Sequence, residues 1–291
     1  MSVDLGPIIT AMVTPFDAEG RVDETAGVRL LGHLMDNGSD GVVVCGTTGE
    51  ASTLDDDEHL DFIGLITKEM RVSYPHGSVI ASVGSNDTRH AVKLTERATA
   101  MRPDALLSVN PYYNRPGRRG ILKHYEAINA STDLPIVLYN IPQRTGEDMA
   151  NDLLAELAQS FEHVIGVKQA NPDNVARIDG LQLYAGNDDL LAKVLDLDGS
   201  GGILTGSHIF GNEMRRMVLE PERRSQVSDA LADVYRDMAI APAACSVKAA
   251  LNLIGVPVGQ PRLPCVALDS AETAVIRALL ERHGLLEAAA A

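Results

Sequence analysis

Short runs of apolar and β-branched residues recur along the chain at Ile8–Val13, Gly41–Cys45, Ser78–Val83, Ala105–Val109, Pro135–Tyr139, Val164–Lys168, Leu181–Ala185 and Gly202–Leu204. Between most of them lie longer amphipathic stretches, such as the one carrying Val28, Leu30, Leu31 and Leu34. Runs apolar at consecutive positions suit parallel sheet with both faces covered, whereas half-exposed antiparallel strands alternate. Eight strand-sized runs in this rhythm predict a (β/α)8 barrel, with a doubly wound open sheet as the alternative. Two helix starts are marked by acidic residues where the helix dipole favours them. These are Asp23-Glu24 and Asp55-Asp56-Asp57-Glu58, the second opening a helix that runs to about Arg71.

Beyond Pro221 the strand pattern fades, and Arg224–Ile240, Ala244–Ile254 and Ser270–His283 read as helices, the last two separated by the Pro-containing segment Val256–Leu268. No linker composition precedes them, so residues 1–220 are expected to form the barrel and residues 221–291 a helical extension packed on it. The one low-complexity piece is the tail Ala288–Ala291.

Composition narrows the class. The 291 residues are 45% hydrophobic and 22% charged, as in an ordinary globular protein with a sizeable core. Forty acidic against 25 basic residues give a formal charge of -15, which disfavours nucleic acid and anionic membrane surfaces as partners. An anionic small molecule stays admissible, because a few inward-facing cations and amides set the field of a cleft. Cys45, Cys245 and Cys265 are too scattered for a disulfide framework or a zinc site. With no basic segment ahead of the apolar stretch in Met1–Val13, the expectation is a cytoplasmic protein.

Barrels of this kind carry their chemistry at the C-terminal ends of strands and in the loops that follow. Of the six lysines, Lys68, Lys93, Lys123, Lys168, Lys193 and Lys248, only Lys168 ends a strand that is apolar throughout. Desolvation there lowers the pKa and leaves neutral amine, the form that attacks a ketone to make a Schiff base. A lysine at a barrel rim also has the option of reaching solvent or pairing with an acid. Tyr139, closing the fifth run, suits a general acid and base, or simply a rim tyrosine bonded to a carbonyl. Arg144, in the loop after it, has the planar fork that grips a carboxylate, or is a surface arginine. The segment Gly46-Thr47-Thr48-Gly49-Glu50 after the second run suits carboxylate binding, although as a lone motif it is also an ordinary turn. Asn110–Gly117, with Tyr112 and Tyr113, suits a site, a subunit interface or a lid. The eight histidines show no metal-ligand spacing, and no dinucleotide, P-loop or nucleophile-elbow motif is present.

Taken in order, Gly46-Thr47-Thr48-Gly49-Glu50, Pro111-Tyr112-Tyr113-Asn114-Arg115-Pro116, Tyr139-Asn140-Ile141-Pro142 and Gly166-Val167-Lys168 resemble the dihydrodipicolinate synthase / N-acetylneuraminate lyase family of class I aldolases. The resemblance runs from about Pro7 to Leu286 and includes Ile9–Phe16 and Arg262-Leu263-Pro264. It implies a (β/α)8 barrel with a C-terminal helical extension. It also implies that Lys168 forms the imine with pyruvate and that Tyr139 moves protons, with Thr47 and Tyr113 completing a relay. In the synthase branch that tyrosine comes from a neighbouring subunit, so a homo-oligomer, a dimer or tetramer, is expected. Thr48 is implied to hold the pyruvate carboxylate, Ile203 to pack on the ligand through its main chain, and Arg144 to meet the carboxylate of L-aspartate semialdehyde. The implied reaction condenses pyruvate with that aldehyde to 4-hydroxy-tetrahydrodipicolinate, a lysine and diaminopimelate precursor, with no cofactor or metal beyond the covalent Lys168 imine.

Several positions depart from the family's usual pattern. Gln169 stands where Glu is common, Gly186-Asn187-Asp188 replaces a frequent Gly-Asp-Asp, and Gly206-Ser207-His208 replaces a Val-Thr-Ala-Asn-like loop. At the position of the family's lysine-inhibitor cleft Asn86 and Tyr112 match, but Asp56 and His90 stand where His and Glu are frequent, so weak or absent lysine inhibition is expected. Another pyruvate-dependent aldolase or lyase of the same family shares Lys168 and Tyr139. A barrel that binds an oxo acid without turnover is a more distant alternative.

Overall fold

The computed structural model describes residues 3–287, and the Ala288–Ala291 tail lies outside them. Eight strands, β1 (Ile8–Ala11), β2 (Gly41–Val44), β3 (Ser78–Ser82), β4 (Ala105–Val109), β5 (Ile136–Asn140), β6 (Val164–Gln169), β7 (Gln182–Ala185) and β8 (Gly201–Leu204), pair in parallel and in chain order. The sheet closes on itself, so the open alternative is not adopted. The first run is strand only to Ala11; Val13 has left the ladder, and its N–H donates to Nε2 of His208 at 3.1 Å.

Strand alternation divides the apolar residues between two cores. Ile9, Ala11, Val43, Ile80, Leu107, Val137, Tyr139, Tyr184 and Ile203 fill the barrel interior. Ile8, Val42, Val44, Leu106, Leu138 and Val167 face the surrounding helices. This register decides which way each strand-end residue points. Tyr139 and Lys168 turn inward, while Asn140 and Gln169, one position later, turn outward.

The barrel is covered by α1 (Glu24–Asp36), α2 (Asp56–Ser73), α3 (Thr88–Ala100), α4 (Gly117–Asn129), the single turn α5 (Pro142–Thr145), α6 (Asn151–Ser160), α7 (Leu191–Asp196) and α8 (Ser207–Leu219). The acidic start of α2 is a capping box: Asp55 accepts from the N–H groups of Asp57 and Glu58, while Glu58 bonds back to the N–H of Asp55. The β6–β7 connection contains only the tight turn Pro172–Asn174 in place of a helix. There the Asn171 side chain accepts from the N–H of Asp173 and caps the start of the turn.

Four helices follow: α9 (Arg224–Ala230), α10 (Ala232–Asp237), α11 (Ala243–Leu253) and α12 (Ser270–Arg282), with α11 packed on α8 and α12. The single helix expected over Arg224–Ile240 is therefore two, broken at Leu231 where ψ rises to 6°. Among the described residues no helix is long and apolar enough to cross a membrane.

Candidate active site

At the C-terminal mouth of the barrel β5 and β6 place Tyr139 and Lys168 in register. Lys168 is 5% exposed, and its Nζ lies 4.4 Å from the centre of the Tyr139 ring. Burial pushes the amine down to about 8; the Asp188 carboxylate pulls it back up, and the positive charge of Arg144 pushes it further down. Burial pushes the Tyr139 phenol up to about 12, opposed by Arg144 and by the Thr47 hydroxyl beside it. At neutral pH the pair thus combines an amine with an appreciable neutral fraction and a phenol that keeps its proton.

Arg144 sits on α5, held by the N-terminal Pro142 and ended by Gly146 at φ 73°. Its guanidinium is solvent-exposed and makes no hydrogen bond or ion pair with other described residues, although its charge is felt by both Lys168 and Tyr139. A cation left free at the mouth of an acidic protein's barrel suits an anionic ligand.

The loop after β2 is held in an uncommon conformation. Cys45 and Glu50 both have positive φ, 54° and 55°. Gly49 runs so close to the chain that a Cβ there would sit 3.0 Å from the Met12 carbonyl oxygen. Thr48 is buried, while Thr47 stands exposed at the mouth. Glu50 fastens the loop from behind: its Oε1 lies 2.6 Å from Nζ of Lys248 on α11, and its Oε2 accepts from the N–H of Arg262 at 2.8 Å. Arg262 also donates to the Thr53 carbonyl and to Glu58, both at 2.7 Å. Lys248 and Arg262 lie over the Phe16 ring at 4.0 and 4.3 Å. A second lysine is therefore buried, but it is neutralised by a partner and lies on the loop's far side.

Ile203 lies on β8, paired with Ile9 of β1, with its side chain wholly buried in the barrel interior. Tyr113 is different. Its backbone, at φ 73°, donates to the Thr145 carbonyl at 3.1 Å, but its side chain is 90% exposed. Within one chain it does not join Lys168 and Tyr139.

Asp188 is a site residue that sequence reasoning did not single out. Its carboxylate accepts from the N–H and hydroxyl of Thr205 at 2.9 and 3.0 Å and from the N–H of Gly206 at 2.9 Å, tying the end of β7 to the loop after β8. Burial holds its pKa above the usual carboxylate range, against those hydrogen bonds and the Lys168 charge. The signal was the acid in Gly186-Asn187-Asp188, just past a barrel strand. His208 is a strut: Nε2 accepts from Val13, Nδ1 bonds the Thr205 carbonyl at 2.7 Å, and burial lowers its pKa to about 4. Among the described residues no group of three or more His, Cys, Asp and Glu is arranged to hold a metal ion.

A (β/α)8 barrel with a partly neutral lysine at a strand end, flanked by a protonated tyrosine and a free arginine, defines a lyase of the class I aldolase type. The chain belongs to the Dihydrodipicolinate synthetase family, whose sequence model matches residues 4–283. A relative from Halalkalibacterium halodurans, 4-hydroxy-tetrahydrodipicolinate synthase 1, is 37% identical over 282 residues, covering 93% of this chain and 94% of that protein. Among solved structures, the dihydrodipicolinate synthase of Cyanidioschyzon merolae with lysine bound superposes with a TM-score of 0.93 at 34% identity, covering 98% of this chain and all of that one. The chloride-inhibited enzyme of Acinetobacter baumannii complexed with pyruvate gives a TM-score of 0.91 at 30% identity, covering 97% of this chain and all of that one.

Proposed function

We propose that this chain is a 4-hydroxy-tetrahydrodipicolinate synthase, condensing pyruvate with L-aspartate semialdehyde on the route to lysine and diaminopimelate. The observation that carries the reading is the buried Lys168 amine beside Tyr139, with the free Arg144 guanidinium acting on both.

Neutral Lys168 attacks the keto carbon of pyruvate. Tyr139 protonates the departing hydroxyl of the carbinolamine, water leaves, and the imine forms. Loss of a methyl proton gives the enamine, whose terminal carbon attacks the aldehyde; the new alkoxide takes a proton. The amino group of the condensed aldehyde then attacks the imine carbon, closes the ring and displaces Lys168 as free amine. In this reading Thr48 and the amides of its loop hold the pyruvate carboxylate, Ile203 packs against it through the main chain, and Arg144 grips the aldehyde's carboxylate. Thr47 links Tyr139 to a tyrosine at the mouth. Because Tyr113 projects away from its own site, it serves a second copy of the chain, which makes the active form a homo-oligomer. No cofactor is required, since the lysine imine is itself the electron sink. The cytoplasm fits a lysine-forming enzyme with free thiols.

The test is intact mass and peptide mapping after incubation with pyruvate and borohydride, beside a turnover assay with L-aspartate semialdehyde. A reduced pyruvate adduct on Lys168 together with turnover is expected. An adduct without turnover points to another aldehyde within the same family. No adduct on folded protein refutes the Schiff-base reading.

A further inference from the structure

The loop that carries Arg144 is closed at its base by one side chain. Asn140, wholly buried at the end of β5, turns outward from the barrel. Its Oδ1 accepts from the N–H of Met149 at 3.0 Å, and its Nδ2 donates to the Met149 carbonyl at 3.2 Å. Residues 141–148 are thereby pinched into a closed loop, with Arg144 at its middle. Inside the loop the single Thr145 Oγ1–H is shared between the Ile141 and Glu147 carbonyls at 3.1 and 2.8 Å, and Asn110 Nδ2 donates to the same Glu147 carbonyl at 3.0 Å.

The same amide reaches the neighbouring strand. Asn140 Nδ2 also lies 2.9 Å from Oδ1 of Asp148 and 3.0 Å from Oε1 of Gln169, the residue after Lys168. Gln169 Oε1 further accepts from the N–H of Asn171 at 3.0 Å. Asp148 accepts from Asn171 and Asn174 at 3.1 and 2.7 Å. The Arg144 loop and the strand end that carries Lys168 are thus bolted together behind the site by a buried amide, and an amide supplies the donor and acceptor that this requires together.

We propose that Asn140 is a positioning residue for the aldehyde partner, fixing Arg144 relative to Lys168 through its clasp on Met149 and its bonds to Asp148 and Gln169. The proposal rests on the reading of Arg144 as the group that binds the aldehyde's carboxylate. Asn140 touches neither substrate, and its effect falls on the second half of the reaction. Misplacing a charged clamp by about an ångström costs on the order of a hundredfold in rate.

Asn140→Ala, Asn140→Asp and Asp148→Ala, the last at an exposed position, are compared with Arg144→Ala and with each substitution combined with Arg144→Ala. Two readouts separate the half-reactions: pyruvate dependence of borohydride trapping on Lys168, and steady-state kinetics in L-aspartate semialdehyde. Trapping within twofold of the parent is expected for the single Asn140 and Asp148 variants, and trapping in each double variant within twofold of Arg144→Ala, whose lost charge acts on Lys168 itself. KM for the aldehyde is expected to rise at least tenfold in Asn140→Ala, with less change in kcat and a smaller rise in Asp148→Ala. In the Arg144→Ala background the Asn140 substitution is expected to add less than threefold, because the group it positions is gone. If Arg144→Ala impairs aldehyde use while Asn140→Ala and Asp148→Ala leave it unchanged, the positioning role is wrong and the Arg144 reading stands. Equal loss of trapping and aldehyde use in folded Asn140 variants, or full additivity with Arg144→Ala, also overturns it. If Arg144→Ala itself has no effect, the underlying reading fails and the proposal falls with it.

Discussion

Replacing Lys168 with methionine should abolish the pyruvate adduct and make the protein more stable at neutral pH. The folded chain holds this amine at about 8, against 10.5 for an ordinary lysine. Below pH 8 the unfolded chain keeps its ammonium in water, whereas the folded chain must bury it, and a gap of this size corresponds to about 3 kcal/mol by linkage. The sign follows from proton counts: between pH 8 and 10.5 the unfolded state binds more protons, so the parent gains stability as pH rises and its deficit vanishes above 10.5. Methionine does not titrate and fills a similar volume. The variant's advantage is therefore expected to be about 3 kcal/mol at pH 7 and roughly half that at pH 9.5. The assay is guanidinium denaturation at both pH values and equal protein concentration, followed by circular dichroism because the chain contains no tryptophan. A methionine variant less stable than the parent at pH 7, or an advantage that fails to shrink at pH 9.5, would refute the claim that burial keeps this amine reactive. In the parent, trapping by borohydride should rise from pH 7 and level off near pH 9, not climb on past pH 10.

Three further outcomes follow from the site. Tyr139→Phe should fold normally yet slow pyruvate imine formation by roughly 10²–10⁴, measured by stopped trapping, since it removes only the hydroxyl proposed to carry the proton. Lys248→Met leaves Glu50 buried without its partner and should cost about 3–5 kcal/mol, whereas the charge-neutral double variant Lys248→Met/Glu50→Gln should recover most of that loss in a melting experiment. Sub-millimolar L-lysine should leave turnover unchanged, because Asp56 is already engaged by Nε2 of His90 at 2.8 Å and Nζ of Lys93 at 3.0 Å; half-inhibition in that range would contradict it.

The barrel was legible because its signal is redundant. Each strand is apolar on both faces, so misjudging an end by a residue or two, as at Val13 or Asn140, leaves the count and order intact. Lys168 and Tyr139 were legible for a local reason: a polar residue closing an apolar strand has few places to go except the mouth. What stayed hidden depends on partners remote in sequence. Lys248 lies in an amphipathic stretch that allows its ammonium to reach water, and only the fold brings Glu50 to it. Asp188 looks like one more surface acid until the loop after β8 supplies its donors. The break at Leu231 has no proline or glycine to announce it.

The grip of Arg262 on Glu50 joins residues 212 positions apart. During synthesis the threonine loop is made early, but its fastening emerges roughly ten to forty seconds later at ordinary elongation rates. Until then the loop lacks the support that holds its two left-handed residues in place. Nascent chains and prematurely terminated fragments should therefore carry Lys168 beside an unfastened threonine loop, and if that loop holds the carboxylate as proposed, the ability to capture an oxo acid should arrive only once translation has passed the region of Arg262.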